Sequence, residues 1–113
     1  MHEAGLLAAA VEEALAAAGP GRGRPVALEI RIHDPIHVAV ESARLHAELA
    51  LRARGLDDVE IHVSADPVTC VMCDLSNEVQ AGHPFCSECG WPLPDRGGHA
   101  VEAVALWADE VPA

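Results

Sequence analysis

Residues 26–63 read VALEIRIHDPIHVAVESARLHAELALRARGLDDVEIHV, and the spacing of their hydrophobic side chains changes twice. At the start of this stretch, residues 26–32 alternate hydrophobic with other side chains, a period of two that predicts a half-buried β-strand. Residues 59–63 repeat the alternation and predict a second strand. We therefore expect two strands here, with a different type of element between them.

The intervening segment has the signals of a helix. Asp34 can cap it, Pro35 suits its first position, and Gly55 marks its end. Hydrophobic residues at helical spacing form one stripe along it: Ile36, Val40, Ala43, Ala47 and Leu51. Because a crossover helix joins the two strands, they should pair in parallel with a right-handed connection.

Two further elements flank this unit. An alanine-rich stretch from about Glu3 to Ala18 predicts an amphipathic helix that ends before Gly19-Pro20-Gly21. Its hydrophobic positions are Leu7, Val11, Ala14, Leu15 and Ala18. A last strand is predicted from about Ala100 to Trp107, where both faces are largely apolar.

All four cysteines lie in one segment, as two Cys-x-x-Cys pairs separated by twelve residues: Cys70, Cys73, Cys86 and Cys89. Two such turns present four thiolates, the closed tetrahedral set that structural Zn²⁺ prefers. A disulfide framework is less suited to a chain of 113 residues that is half apolar and shows no secretory segment. The spacing therefore predicts a structural zinc site without catalytic chemistry.

Together these elements predict an α+β fold, a small three-stranded mixed sheet with two helices plus an inserted zinc-ribbon-like module. Residues 1–66 together with 99–113 would form the main domain, and residues 67–98 the zinc-binding module. The Gly- and Pro-containing junctions around residues 65–67 and 97–98 would let the module move relative to the body.

Charge and composition argue against several classes of function. The net charge is −11, there is no lysine, and residues 67–94 contain no arginine, so contact with nucleic acid phosphates is not expected. The alanine-rich stretch near the N-terminus has no signal-peptide regions and is too short to span a bilayer. We therefore expect a soluble, cytoplasmic protein, in a compartment where reduced thiols favour metal binding. No pairing of nucleophile and base is visible, and a closed zinc shell has no position for water, so an enzyme is not expected.

The chain starts Met1-His2-Glu3, follows the order α-β-α-β, places its cysteine pairs near residue 70 and ends in a strand. In these features it resembles the HypA/HybF family of nickel metallochaperones for hydrogenase maturation. The resemblance implies transported Ni²⁺ at the N-terminus and structural Zn²⁺ at the four cysteines. It also implies two partners, the accessory GTPase of the maturation pathway and the hydrogenase large subunit. Hydrogenase and urease are both compatible as clients, and so are a monomer and a homodimer.

The chemistry of the N-terminus agrees with this expectation. The Met1 amine, the first backbone amide nitrogens and the His2 imidazole can form fused chelate rings, and four nitrogens in a plane suit Ni²⁺ or Cu²⁺. Glu3 can add an oxygen ligand or accept a proton. The structural alternative is that His2 and Glu3 merely begin a solvated helix, with Glu3 complementing its positive end.

The sequence departs from the family pattern in two places. The segment from His33 to His37 replaces a short glycine turn, and Asp74 and Ser87 stand where glycine and proline are common. His33 and His37 could extend a metal site with Asp34, but we expect Asp34 to cap the helix and both histidines to be ordinary surface groups. His62 should face solvent, and His46, His83 and His99 have no assigned role.

Two other functions are compatible with the motifs. An acidic zinc-ribbon adaptor would bind a protein and carry no nickel. A redox switch would release zinc and form disulfides between the paired thiols under mild oxidation. The response of metal binding to His2→Ala separates the first from a nickel carrier, and thiol titration identifies the second.

Overall fold

In a computed structural model, the protein is described over residues 3–17, 24–79, 84–94 and 100–107, without the side chains of Glu3 and Ala4. Several sequence predictions concern residues outside these ranges. They are the ligands Met1 and His2, the Glu3 side chain, the helix end at Ala18, and the histidines His83 and His99.

Two helices and three longer strands form the main body, and two short strands belong to the cysteine segment. Their bounds are α1 Glu3–Ala16, β1 Pro25–Ile32, α2 Val40–Arg52, β2 Glu60–Ala65, β3 Val68–Thr69, β4 Ser76–Asn77 and β5 Val101–Trp107. The prediction of an α+β fold with two helices is confirmed.

The main sheet is mixed, in the order β2-β1-β5. β1 pairs in parallel with β2, with Leu28 opposite Ile61, as the crossover helix predicts. On its other side β1 pairs with β5 in the antiparallel direction, with Leu28 opposite Ala105. The central strand is thus the one whose alternation is clearest in the sequence.

Both helices pack on one face of this sheet. Alternation along β1 buries Leu28, Ile30 and Ile32 beneath the helices and leaves Glu29 and Arg31 on the open face. The helices contribute a second set of buried residues: Leu7, Val11 and Ala14 from α1, and Ala43, Ala47 and Leu51 from α2. Burial of these apolar surfaces is the main favourable term in folding of the body.

The predicted start of the second helix is wrong. α2 begins at Val40 after Ala39, whose backbone is extended (φ −85°, ψ 144°). Asp34 instead caps a separate turn, in which its backbone and side-chain oxygens accept the N–H of His37 and its backbone oxygen accepts the N–H of Val38 at 3.1 Å. Tertiary packing explains the difference, because Val38 is buried in the main core.

A second hydrophobic cluster lies in the cysteine segment. Its buried members are Val68, Cys70, Cys86 and Leu93. Ile36, from the turn that precedes α2, packs against this cluster and does not join the helical stripe predicted for it. The turn therefore connects the main body with the cysteine segment.

Polar contacts join the points where the chain leaves and re-enters the sheet. The N–H groups of His33 and Asp34 both donate to the carbonyl oxygen of Ala100, at 2.8 and 3.2 Å. The His33 ring lies between two carboxylates, with Nδ1 2.8 Å from Asp66 and Nε2 3.1 Å from Glu102. His33 is thus not the ordinary surface group that the sequence suggested.

Neither described helix is long and apolar enough to cross a membrane.

Candidate metal centre

Each cysteine pair lies in a tight turn with the same backbone hydrogen bonds. In the first turn, the N–H of Cys70 donates to Leu75 O at 2.9 Å and the N–H of Asp74 donates to Cys70 O at 3.0 Å. In the second turn, the equivalent bonds run from Cys86 to Trp91 O at 2.8 Å and from Gly90 to Cys86 O at 3.0 Å. The two turns are therefore copies of one local structure.

The position after each second cysteine has a left-handed backbone. Gly90 has φ +75°, which glycine adopts without strain. Asp74 occupies the equivalent place with φ +61° and is the one non-glycine residue with positive φ in the described part of the chain. The substitution of Asp for a more usual glycine is thus accommodated by keeping the same backbone geometry.

The four sulfur atoms converge on one point. All lie within 4.8 Å of one another, with Cys70 Sγ 3.6 Å from Cys89 Sγ and Cys73 Sγ 3.6 Å from Cys86 Sγ. Zn–S bonds of about 2.3 Å in a tetrahedron would place sulfurs about 3.8 Å apart. A disulfide needs about 2.05 Å, and all four cysteines are free. The geometry fits a tetrahedral ion such as Zn²⁺.

The cluster has a buried half and an exposed half. Cys70 and Cys86, the first cysteine of each turn, are 0% and 4% exposed. Cys73 and Cys89 are exposed. Solvent and competing ligands therefore reach the site from the side of Cys73 and Cys89.

The surroundings shift the pKa values of the cysteine thiols in opposite directions. Backbone N–H groups of Cys89 and Glu88 lower the pKa of Cys86 to about 6, against the effect of burial and with help from Asn77 and Cys73. For Cys73, a backbone hydrogen bond from Leu75 lowers the pKa, but Cys86, partial loss of hydration and the other thiols raise it to about 12. Neighbouring thiolates repel each other, so a divalent cation is what allows all four to ionise together.

Asn77 is a component of the site that the motif did not reveal. It is 5% exposed, and its Nδ2 lies 3.6 Å from Cys86 Sγ. One signal was present, because Asn77 is the only asparagine of the chain and lies between the two cysteine pairs. Spacing alone does not show that its side chain turns inward.

No described histidine joins the cysteine cluster. The four cysteines are the one described group of three or more His, Cys, Asp or Glu side chains close enough to bind a metal ion. His37 Nδ1 is 2.8 Å from Asp34 Oδ2, and His62 is exposed on β2 as predicted. The alternative of a metal site at His33, Asp34 and His37, which the sequence analysis did not favour, is not formed by the described residues.

The nickel ligands predicted from the sequence are not tested by this geometry. Met1 and His2 lie outside the described residues, and only the backbone of Glu3 is described, as the first residue of α1.

Comparison with known proteins gives no assignment. No protein-family model matches the chain, and no curated protein matches it. The resemblance to the HypA/HybF family therefore stays a prediction from the residues quoted above.

Proposed function

We propose that the protein is a nickel metallochaperone that binds Ni²⁺ at its N-terminus and delivers it for maturation of a [NiFe]-hydrogenase. The observation that carries the proposal is the four-cysteine cluster in a chain that begins Met1-His2-Glu3. A four-sulfur shell suits a structural ion. A separate, open site is then needed for a metal that is to be passed on, and the N-terminus supplies nitrogen ligands for it.

Zinc in this proposal has a structural role. Over the described residues 67–79 and 84–94, this segment has one pair of two-residue strands and a small buried cluster, too little to fold unaided. An ion bound by Cys70, Cys73, Cys86 and Cys89 would hold its two turns together. With four sulfur ligands there is no open position for water, which agrees with a non-catalytic protein.

The position of α1 is compatible with an N-terminal chelate. The helix begins at Glu3, and the first four N–H groups of a helix have no intrahelical acceptor. The amide nitrogens of His2 and Glu3 can therefore lose their protons to bind Ni²⁺ without breaking a hydrogen bond of α1. Four nitrogen ligands in one plane would suit Ni²⁺.

The partners in this proposal are the accessory GTPase of the pathway and the hydrogenase large subunit, as the family resemblance implies. The protein itself catalyses no reaction. It acts in the cytoplasm, where thiols stay reduced and available to zinc.

The test is a Ni²⁺ titration of zinc-loaded protein with a free Met1 amine and no tag. His2→Ala removes the imidazole, and His62→Ala removes an exposed histidine on β2 as a matched control. We expect one tight Ni²⁺ per chain, with the absorption of a planar nitrogen-ligated ion, in the wild type and His62→Ala. Equal weak binding by the wild type and His2→Ala would reject the nickel carrier.

An acidic zinc-ribbon adaptor is the second candidate, favoured by exposed hydrophobic residues around the cysteines. Four large side chains are about half or more exposed: Val71 (63%), Met72 (61%), Phe85 (53%) and Trp91 (49%). Residues 67–94 contain acidic groups but no lysine or arginine. A partner would then offer an apolar surface with basic neighbours. This candidate predicts that His2→Ala changes neither metal affinity nor partner binding.

A further inference from the structure

Asn77 is a buried polar residue at the centre of the cysteine segment. Among the described residues, only Asp34 and Asn77 are polar or charged and buried. A buried amide is costly unless its hydrogen-bonding groups have partners. The partners of Asn77 therefore indicate why this residue is placed here.

The Asn77 side chain links the two cysteine turns. Its Nδ2 donates to Leu75 O at 3.0 Å, at the end of the first turn. Its Oδ1 accepts the N–H of Ser87 at 2.9 Å, inside the second turn. Leu75 O also accepts the N–H of Cys70. The Asn77 amide and the ligand residue Cys70 therefore share one hydrogen-bond acceptor in the first turn.

The orientation of the amide is fixed by these partners. Exchange of Nδ2 and Oδ1 would set an NH₂ group against the Ser87 N–H and an oxygen against Leu75 O, so both bonds would be lost. In the only orientation that satisfies both, Nδ2 also points at Cys86 Sγ, 3.6 Å away. The third contact is thus a consequence of the first two.

We propose that Asn77 is a positioning residue of the metal centre, which braces the two cysteine turns and holds the Cys86 sulfur in place as a ligand. This inference rests on the proposed zinc site. Hydrogen bonds from neighbouring groups orient metal ligands, and their loss commonly weakens metal binding. With Cys86 held and buried, metal exchange begins at the exposed sulfurs of Cys73 and Cys89.

Asn77→Asp is the most informative variant. It keeps the size of the side chain and the oxygen that accepts the Ser87 N–H, but it replaces the donor with an oxygen that faces Leu75 O and Cys86 Sγ. We expect the zinc affinity to fall about 10- to 100-fold, with faster zinc transfer to a chelator than in the wild type. Ser76→Ala changes an exposed neighbour on β4 and should leave the rate unchanged.

A spectroscopic measurement tests the same contact without a variant. In wild-type protein loaded with a spin-active cadmium isotope, the Asn77 NH₂ protons should show scalar coupling to the metal through Cys86 Sγ. A role limited to packing would give no such coupling. This measurement uses only the wild type, so it still tests the contact if Asn77→Asp fails to fold.

The outcomes separate this inference from the zinc proposal. Wild-type protein that binds no zinc would overturn both. Tight zinc binding by the wild type, with a wild-type transfer rate in Asn77→Asp or no coupling to the Asn77 amide, would overturn the role of Asn77 alone.

Discussion

The most informative single residues are those at the left-handed positions of the two cysteine turns. Gly90 and Asp74 have the same backbone conformation, although only glycine adopts it without steric cost. The equivalence follows from matching hydrogen bonds in the two turns. Asp74 therefore carries strain, and it also adds negative charge next to four sulfur ligands.

We expect Asp74→Gly to stabilise the zinc-loaded protein by about 0.5–1 kcal/mol, because relief of strain exceeds the added entropy of the unfolded chain. Gly90→Ala should destabilise it by about 1 kcal/mol, because strain exceeds the entropy that the unfolded chain loses. No steric clash adds to this cost, since a Cβ there would meet no atom within 4 Å. Chemical unfolding of both zinc-loaded variants measures these changes. A loss of stability in Asp74→Gly would mean that its carboxylate has a favourable role.

Much of the residue-level site was predictable, because the Cys-x-x-Cys spacing identifies four ligands with little dependence on the fold. The role of Asn77 at the site and the hydrogen-bond partners of His33 could not be predicted from the sequence. Both depend on contacts between segments far apart in sequence: Asn77 with Ser87, and His33 with Asp66 and Glu102. A local pattern contains no signal for such pairs.

At the scale of elements, the periodic segments were predicted well and the irregular one was not. β1 from Leu28 onward and β2 follow alternation, α1 follows helical spacing, and β5 was predicted from a run that is apolar on both faces. Alternation fails at Val26, which is exposed beside a register shift in β1. The turn of residues 34–38 has a capping residue followed by Pro35, which resembles a helix start in sequence. Its hydrophobic residues point to two different clusters, with Val38 in the main core and Ile36 against the cysteine segment, so one continuous helix would not satisfy both.

The end of β1 also contains a pH-dependent contact. Hydrogen bonds to Asp66 and Glu102 raise the pKa of His33. Hydrogen bonds from His33 and Arg31 lower the pKa of Asp66. The ionised Asp66 side chain contributes to the free energy of unfolding. This contribution is complete above the usual Asp66 pKa of 3.8 and is lost as pH falls through its lowered pKa. The contribution of protonated His33 to the free energy of unfolding is complete below pH 6.5, the usual pKa of histidine. It is lost as pH rises through the raised pKa of His33.

We therefore expect His33→Gln to destabilise the protein most between about pH 4 and 6.5, and progressively less at higher pH. Unfolding of the wild type and the variant should be compared at each pH, because acid-induced zinc loss affects both alike. His62→Gln is the control, since its 3.7 Å ion pair with Glu60 is exposed and contributes little. A difference between wild type and His33→Gln that does not vary with pH would contradict this account.

At the scale of the whole molecule, two hydrophobic clusters share one chain. The main core lies between the helices and the sheet, and the smaller cluster surrounds Cys70 and Cys86. The turn after β1 connects them, because Ile36 packs against the smaller cluster and Val38 is buried in the main core. The smaller cluster includes two proposed metal ligands, so its stability should depend on the metal far more than that of the main core.

Replacement of Cys86 by serine should therefore abolish zinc binding and unfold the cysteine segment while the body stays helical. A buried serine would lack the thiolate that binds the ion and would leave Nδ2 of Asn77 without its sulfur contact. Zinc content together with far-ultraviolet circular dichroism checks both parts. Retention of one zinc per chain by Cys86→Ser would contradict the four-sulfur site.

We propose that one chain binds two different metals at two separate places. The nickel and zinc content of untagged protein, measured after equilibration with both ions and removal of the excess, tests this proposal. We predict one zinc and one nickel per chain in the wild type, and one zinc without nickel in His2→Ala. Zinc alone in both proteins would contradict the nickel carrier and leave the adaptor.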